Sequence, residues 1–224
     1  AQSPSIVIAG WQDNGTGFYR NSISGANKWK TNMGGDGMEC IIDPTDSNYM
    51  YGALYYGDIR RTSSGGTLNT TTANTGSFGI NEQGAWVTPY VLHNQNPNKM
   101  FVGYKNIWRG TNIKSSPVWA KITTGFTSNV VAIEHCEGDT SRMYYSRSGK
   151  FYRTDSLYLA NPVFRDITAK TPIPSSTVNW IETHPTKPYT GRDPRLALYV
   201  VYNGSSMKST TIKNETGGGN DAVD

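Results

Sequence analysis

The chain has 224 residues, a formal charge of +4 from 21 Lys and Arg against 17 Asp and Glu, and a hydrophobic fraction of 36%. Its basic residues are spread almost evenly, and the densest group, residues 58–61 (DIRR), has an acid beside it, which argues against a nucleic-acid-binding surface. The longest apolar runs, such as residues 130–133 (VVAI), are too short to enter a bilayer, so membrane insertion is not expected.

No segment keeps a 3.6-residue apolar period beyond two turns, while 24 Gly, with Ser, Thr and Asn, separate short apolar runs rich in Tyr and Trp. This is the composition of many short strands joined by many turns, an all-β chain. Residues 5–32 predict three strands, equivalent to the second to fourth of a four-stranded unit whose first is missing. Residues 35–66 predict a strand, a turn at Asp-Pro-Thr-Asp-Ser-Asn, a second strand and a third near Ile59. The order recurs in 84–123, with Asn-Gln-Asn-Pro-Asn as the turn, in 129–168, and in 177–204 with a longer insertion.

Aligned at Gly37, Ala85, Asn129 and Thr177, the copies are spaced by 48, 44 and 48 residues, the period of a β-propeller blade of four antiparallel strands. One blade cannot bury both of its faces, whereas blades packed around a channel cover one another. Residues 1–213 are therefore assigned to about four blades, with copies starting near 37, 85, 129 and 177, and residues 214–224 to a flexible tail. The ends either close a four-bladed ring or belong to a larger ring, completed by further blades or a neighbouring chain. Trp29, Trp119 and Phe164, each closing an outer-strand region, are expected to fill gaps between blades.

Residues 11–21 (WQDNGTGFYRN), followed by Trp29 and then by residues 34–52 (GGDGMECIIDPTDSNYMYG), resemble the Asp-box or BNR-repeat propellers. That group includes sortilin-type propellers, xyloglucan-degrading glycoside hydrolases and sialidases, and the nearest resemblance is to propellers of secreted bacterial proteins. The resemblance implies a secreted, periplasmic or cell-surface location. It also implies a structural Asp-box, Ser-x-Asp-x-Gly-x-x-Trp, in the turn between the last two strands. The boxes here are eroded: Ser64 and Asn112 stand at the Asp position, and Asp155 is retained without the glycine.

Asp13, in a Gln-Asp-Asn-Gly turn, and Asp36, within Gly-Gly-Asp-Gly, are the weak catalytic candidates; paired carboxylates would suit glycoside hydrolysis. Asp36 and His135 are weak metal-ligand candidates, and His93, His135 and His184 fall near the ends of first strands. No cofactor is expected, although a structural cation such as calcium would be compatible with these turns. The spacing of Cys40 and Cys136 in different copies disfavours a disulfide, and Cys40 reads as a buried thiol. Trp86, Trp108, Tyr55 and Tyr56 are the ligand-contact candidates, because rings that reach loops stack on sugars or form protein contacts. The leading expectation is a non-catalytic propeller that binds a glycan or protein surface. The alternatives are a glycoside hydrolase of the Asp-box type and a structural fragment completed by a partner.

Overall fold

A computed structural model describes residues 5–24, 28–170, 178–183 and 198–202. Most of the fourth sequence copy and the 214–224 tail lie outside these residues. The first sheet is β1 (Ile6–Trp11), β2 (Gly15–Arg20) and β3 (Lys30–Met33), joined in that order, with one helical turn (Asn21–Ser24) after β2. Three four-stranded sheets follow. They are β4 (Cys40–Ile42) to β7 (Thr70–Ala73) through β5 (Met50–Ala53) and β6 (Ile59–Thr62); β8 (Tyr90–Leu92) to β11 (Val118–Lys121) through β9 (Lys99–Gly103) and β10 (Ile107–Thr111); and β12 (Ala132–His135) to β15 (Arg165–Asp166) through β13 (Met143–Arg147) and β14 (Lys150–Thr154). A two-stranded sheet, β16 (Val178–Thr183) with β17 (Leu198–Tyr202), comes last. Every pairing is antiparallel and joins neighbours in sequence, the meander of a propeller blade.

Register shows the repeat more sharply than spacing does. Met50, Met100 and Met143, the first or second residues of the second strands, pair with Ile42, Leu92 and His135 at the ends of the first strands. His93, just past the end of β8, is therefore the counterpart of Asp43, while His135 sits one position earlier.

The core lies between sheets. In β9, Met100 and Val102 join a cluster with Tyr51, Ala53 and Ile59 of the second sheet, while Phe101 joins one with Ile133, Met143 and Tyr145 of the fourth. Successive side chains point to opposite faces and both faces are covered, which is why the second strands read as nearly continuous apolar runs. Each fully buried ring or methionine contributes roughly 1.5–3 kcal/mol through removal from water.

Aromatic side chains of the third sheet also carry polar handles across the gap. The Tyr90 hydroxyl donates to Glu39 O (2.8 Å), the Tyr104 hydroxyl to Gly57 O (2.8 Å), and Trp119 Nε1 to Thr72 O (2.8 Å). Trp119 thus fills an inter-sheet gap, and Gly110 is needed beneath it, since a Cβ there would lie 2.8 Å from the indole. Phe164 packs edge-on against Tyr145, with centroids 5.2 Å apart. Trp29 is different: it packs on Trp11 and Tyr19, yet remains exposed on the first sheet.

Candidate functional site

Three of the four ligand-contact candidates meet on the surface. Tyr55 and Tyr56 occupy the turn after β5, and Trp86 lies in the connection that leaves β7. Because β5 and β7 are both antiparallel to β6, these loops emerge at one end of the sheet. The rings of Tyr55 and Trp86 stack, with centroids 5.1 Å apart and planes 8° apart, and Tyr56 meets both edge-on at 5.5 and 5.3 Å. Tyr55, Tyr56 and Trp86 keep 41%, 39% and 46% of their surfaces exposed, a contiguous apolar patch open to solvent.

The cluster is held from below. Tyr56 N donates to Trp86 O and Gly84 N to Tyr56 O, both at 3.2 Å, so the two loops are bonded to each other. The Thr75 hydroxyl donates to Glu82 O (2.7 Å), closing the long loop on itself. Tyr56 has φ 61° and ψ 15°, a left-handed conformation that costs a bulky residue about 1–3 kcal/mol and that tends to occur at functional sites. Gly57 follows with φ 85°, and a Cβ there would come within 2.5 Å of the Tyr104 ring.

Trp108, the fourth candidate, is not a ligand contact. It is 5% exposed in the core between the second and third sheets, and its Nε1 donates to Glu82 Oε2 at 3.1 Å. The reason is local: Ile107 and Trp108 are adjacent strand residues that point into cores on opposite faces. Glu82 itself is buried and fully partnered, by Asn106 N (2.9 Å), Asn106 Nδ2 (2.7 Å) and Lys121 Nζ (2.7 Å) besides the indole. Burial opposes its ionisation, but these donors prevail and hold its carboxyl below the ordinary value. This anchor, hidden in a polar loop, was not legible as a site residue; it fixes the loop that presents Trp86.

Asp13 and Asp36 are brought together, but as a turn. Asp36 Oδ1 accepts the Asp13 amide at 2.6 Å, and Asp13 is exposed with φ 61°. One oxygen of the candidate pair is thereby committed to the backbone. His93 and His135 also meet, with ring centroids 4.5 Å apart. His135 Nδ1 accepts the Asn94 amide (3.2 Å) and its Nε2–H donates to Thr140 O (3.1 Å), so both nitrogens lock neighbouring turns. Burial, above all, lowers its pKa to about 4 and keeps it neutral. No group of three or more His, Cys, Asp or Glu converges among the described residues, Asp36 and His135 included; His184 lies outside them.

Two further carboxyls, Glu39 and Glu134, have perturbed protonation. Burial raises Glu39 to about 7 against the pull of the Tyr90 backbone. Burial likewise raises Glu134 to about 7, opposed by Thr183, whose hydroxyl (2.8 Å) and amide (3.3 Å) donate to Oε1, and reinforced by the charge of Glu182. Both sit on or beside first strands, where alternation carries no sign of their environment. Cys40 and Cys136 are free thiols; Cys40 is half-buried rather than fully buried, and burial still raises it to about 12.

No protein-family model and no curated protein matches the chain. Solved structures do match. An ancestral GH74 enzyme aligns with a TM-score of 0.61 and 11% identity, over 90% of this chain and 26% of that one. The GH74 xyloglucanase from Xanthomonas campestris aligns with a TM-score of 0.56 and 9% identity, over 82% of this chain and 32% of that one. The β-propeller domain of Cps50 (Swd1) from Myceliophteria thermophila aligns with a TM-score of 0.55 and 8% identity, over 88% of this chain and 68% of that one. The chain thus spans about a third or less of the two GH74 enzymes, and at such identities the likeness establishes one thing, that this chain is built of β-propeller blades.

Proposed function

We propose that the chain is a secreted or surface-exposed propeller of the Asp-box type that binds glycan, without catalysis, through Tyr55, Tyr56 and Trp86. The observation that carries this reading is the exposed Tyr55–Trp86 stack, held by inter-loop hydrogen bonds and by a Tyr56 backbone in the left-handed region. Flat rings fixed before binding offer a sugar face apolar contact without an ordering cost. Titration with neutral β-glucan oligosaccharides, followed by tryptophan fluorescence, is expected to show saturable binding that Trp86→Ala weakens about tenfold or more. Absence of binding, or affinity unchanged in Trp86→Ala, would sink the glycan reading and leave a protein contact for the cluster.

The alternative is a hydrolase, favoured by Glu39 and Glu134, whose raised pKa values suit a general acid near neutrality. It draws on the GH74 likeness as well. Asp36, committed to the Asp13 amide, suits this role less well than either glutamate. Release of reducing ends from xyloglucan, abolished in Glu39→Gln or Glu134→Gln with folding intact, would establish it over the binding role.

A further inference from the structure

β8 runs from the Trp86 end of the third sheet to the opposite end, where His93 follows it. There a cavity of about 400 Å3 opens between the third and fourth sheets, lined by His93, Lys99, Phe101, Arg109, Ser141 and Tyr158 among others. Its size falls in the range of small-ligand sites, about 300–1,000 Å3.

Charge in this recess is one-sided. Lys99 and Arg109 bring two cations, and no Asp or Glu lines the cavity. Among the described residues neither cation has an ion-pair partner. Arg109 instead donates to the backbone carbonyls of Leu157 (2.9 Å), Leu159 (2.9 Å) and Ala160 (3.2 Å), which hold the loop forming one wall. Carbonyls satisfy hydrogen bonds without cancelling charge, so a partly desolvated guanidinium remains electrostatically unbalanced.

His93 adds a directed donor. Its Nδ1 accepts the amides of Gln95 and Asn96, both at 3.2 Å, so the proton of the neutral ring is on Nε2, which has no hydrogen-bond partner among the described residues. The ammonium of Lys99 likewise has none. Around these donors are the hydroxyls of Thr111, Thr140 and Ser141, of which Thr111 donates to Val118 O (3.4 Å) and Ser141 to Asp139 Oδ1 behind the wall (2.6 Å), leaving their oxygens as acceptors, and the ring of Tyr158, which is 73% exposed. Donors without a counter-carboxylate select an anion, and hydroxyls beside an open ring suit a polyhydroxylated body with an apolar face.

We propose that this recess binds the carboxylate of an acidic saccharide, with Lys99 and the Nε2–H of His93 as its direct donors, Arg109 supplying field and wall, and Tyr158 contacting the sugar ring. The site is separate from the aromatic cluster and does not depend on the reading given to it.

The test is calorimetric titration of the 224-residue chain with sodium glucuronate, methyl glucoside and sodium acetate. Glucuronate is expected to bind saturably and the neutral glucoside not to compete. Lys99→Gln should weaken glucuronate about tenfold, the loss of one charge-assisted hydrogen bond. Tyr158→Ala should weaken glucuronate and leave acetate unchanged, while Trp86→Ala should alter neither, which separates this site from the glycan-binding cluster. Lys99 and Tyr158 are both partly or largely exposed, and thermal unfolding of each variant verifies its fold. No saturable glucuronate binding, or binding indifferent to Lys99→Gln in a folded protein, overturns the proposal. Acetate binding as tightly as glucuronate overturns the saccharide assignment.

Discussion

Asp43 shows how one buried carboxylate holds a turn and a neighbouring sheet together. Its Oδ1 accepts the Thr45 amide (2.7 Å), the Thr45 hydroxyl (2.7 Å) and the Asp46 amide (3.1 Å), while Oδ2 meets Lys114 Nζ from the third sheet at 2.5 Å. Burial opposes ionisation here, but Lys114 and Thr45 outweigh it and hold the carboxyl below its ordinary value. A depressed folded pKa means that the stabilisation is present above the unfolded value, about 3.9, and is lost as pH falls through the folded value. Asp43→Asn keeps the turn acceptor and removes the ion pair, so it is expected to cost about 1–3 kcal/mol at pH 7. The gap between parent and variant should close in acid, and urea unfolding at pH 7 and pH 3 measures both. At the counterpart position His93 does the same turn work with Nδ1. That equivalence was invisible to residue type and emerges only from register.

At the scale of the element, the third sheet depends on side chains that reach out of it. Tyr104→Phe leaves the Gly57 carbonyl without its partner, an expected loss of about 1–3 kcal/mol seen as a lower urea midpoint. The same variant should loosen the Tyr55–Gly57 turn and weaken glycan binding without touching a ring of the cluster. Gly110→Ala places a Cβ against the Trp119 indole and is expected to cost about 1–3 kcal/mol by overpacking. Repeating polar turns at matching offsets, with apolar runs between them, sufficed to anticipate the antiparallel blades, because turn residues report backbone demands locally. The fate of individual aromatics was not legible. Trp86 and Trp108 look alike in the sequence, yet the loop of one is pinned open by Glu82 while the ring of the other is buried against that same glutamate. A strand covered on both faces loses the alternation that would have distinguished them.

At the scale of the whole molecule, the raised carboxyls predict a pH dependence opposite in sign to that of Asp43. A carboxyl whose folded pKa is raised stabilises the fold fully below its unfolded value of about 4.3 and loses that contribution as pH rises through its folded value. Glu39 and Glu134, both at about 7, should therefore make the chain lose thermal stability between about pH 4.5 and 7. The Glu39→Gln, Glu134→Gln double variant should flatten that slope in a melting-temperature profile. The hydroxyl and indole handles from Tyr90, Tyr104 and Trp119 have a further consequence, for the order in which the chain opens. Each ties a third-sheet side chain to a second-sheet carbonyl 47 or more residues away, so neither sheet sheds its neighbour without exposing a buried acceptor. Amide protons of β5, β6, β9 and β10 should then exchange with solvent at a common rate, as one cooperative unit two blades wide, ahead of any boundary drawn by the repeat itself.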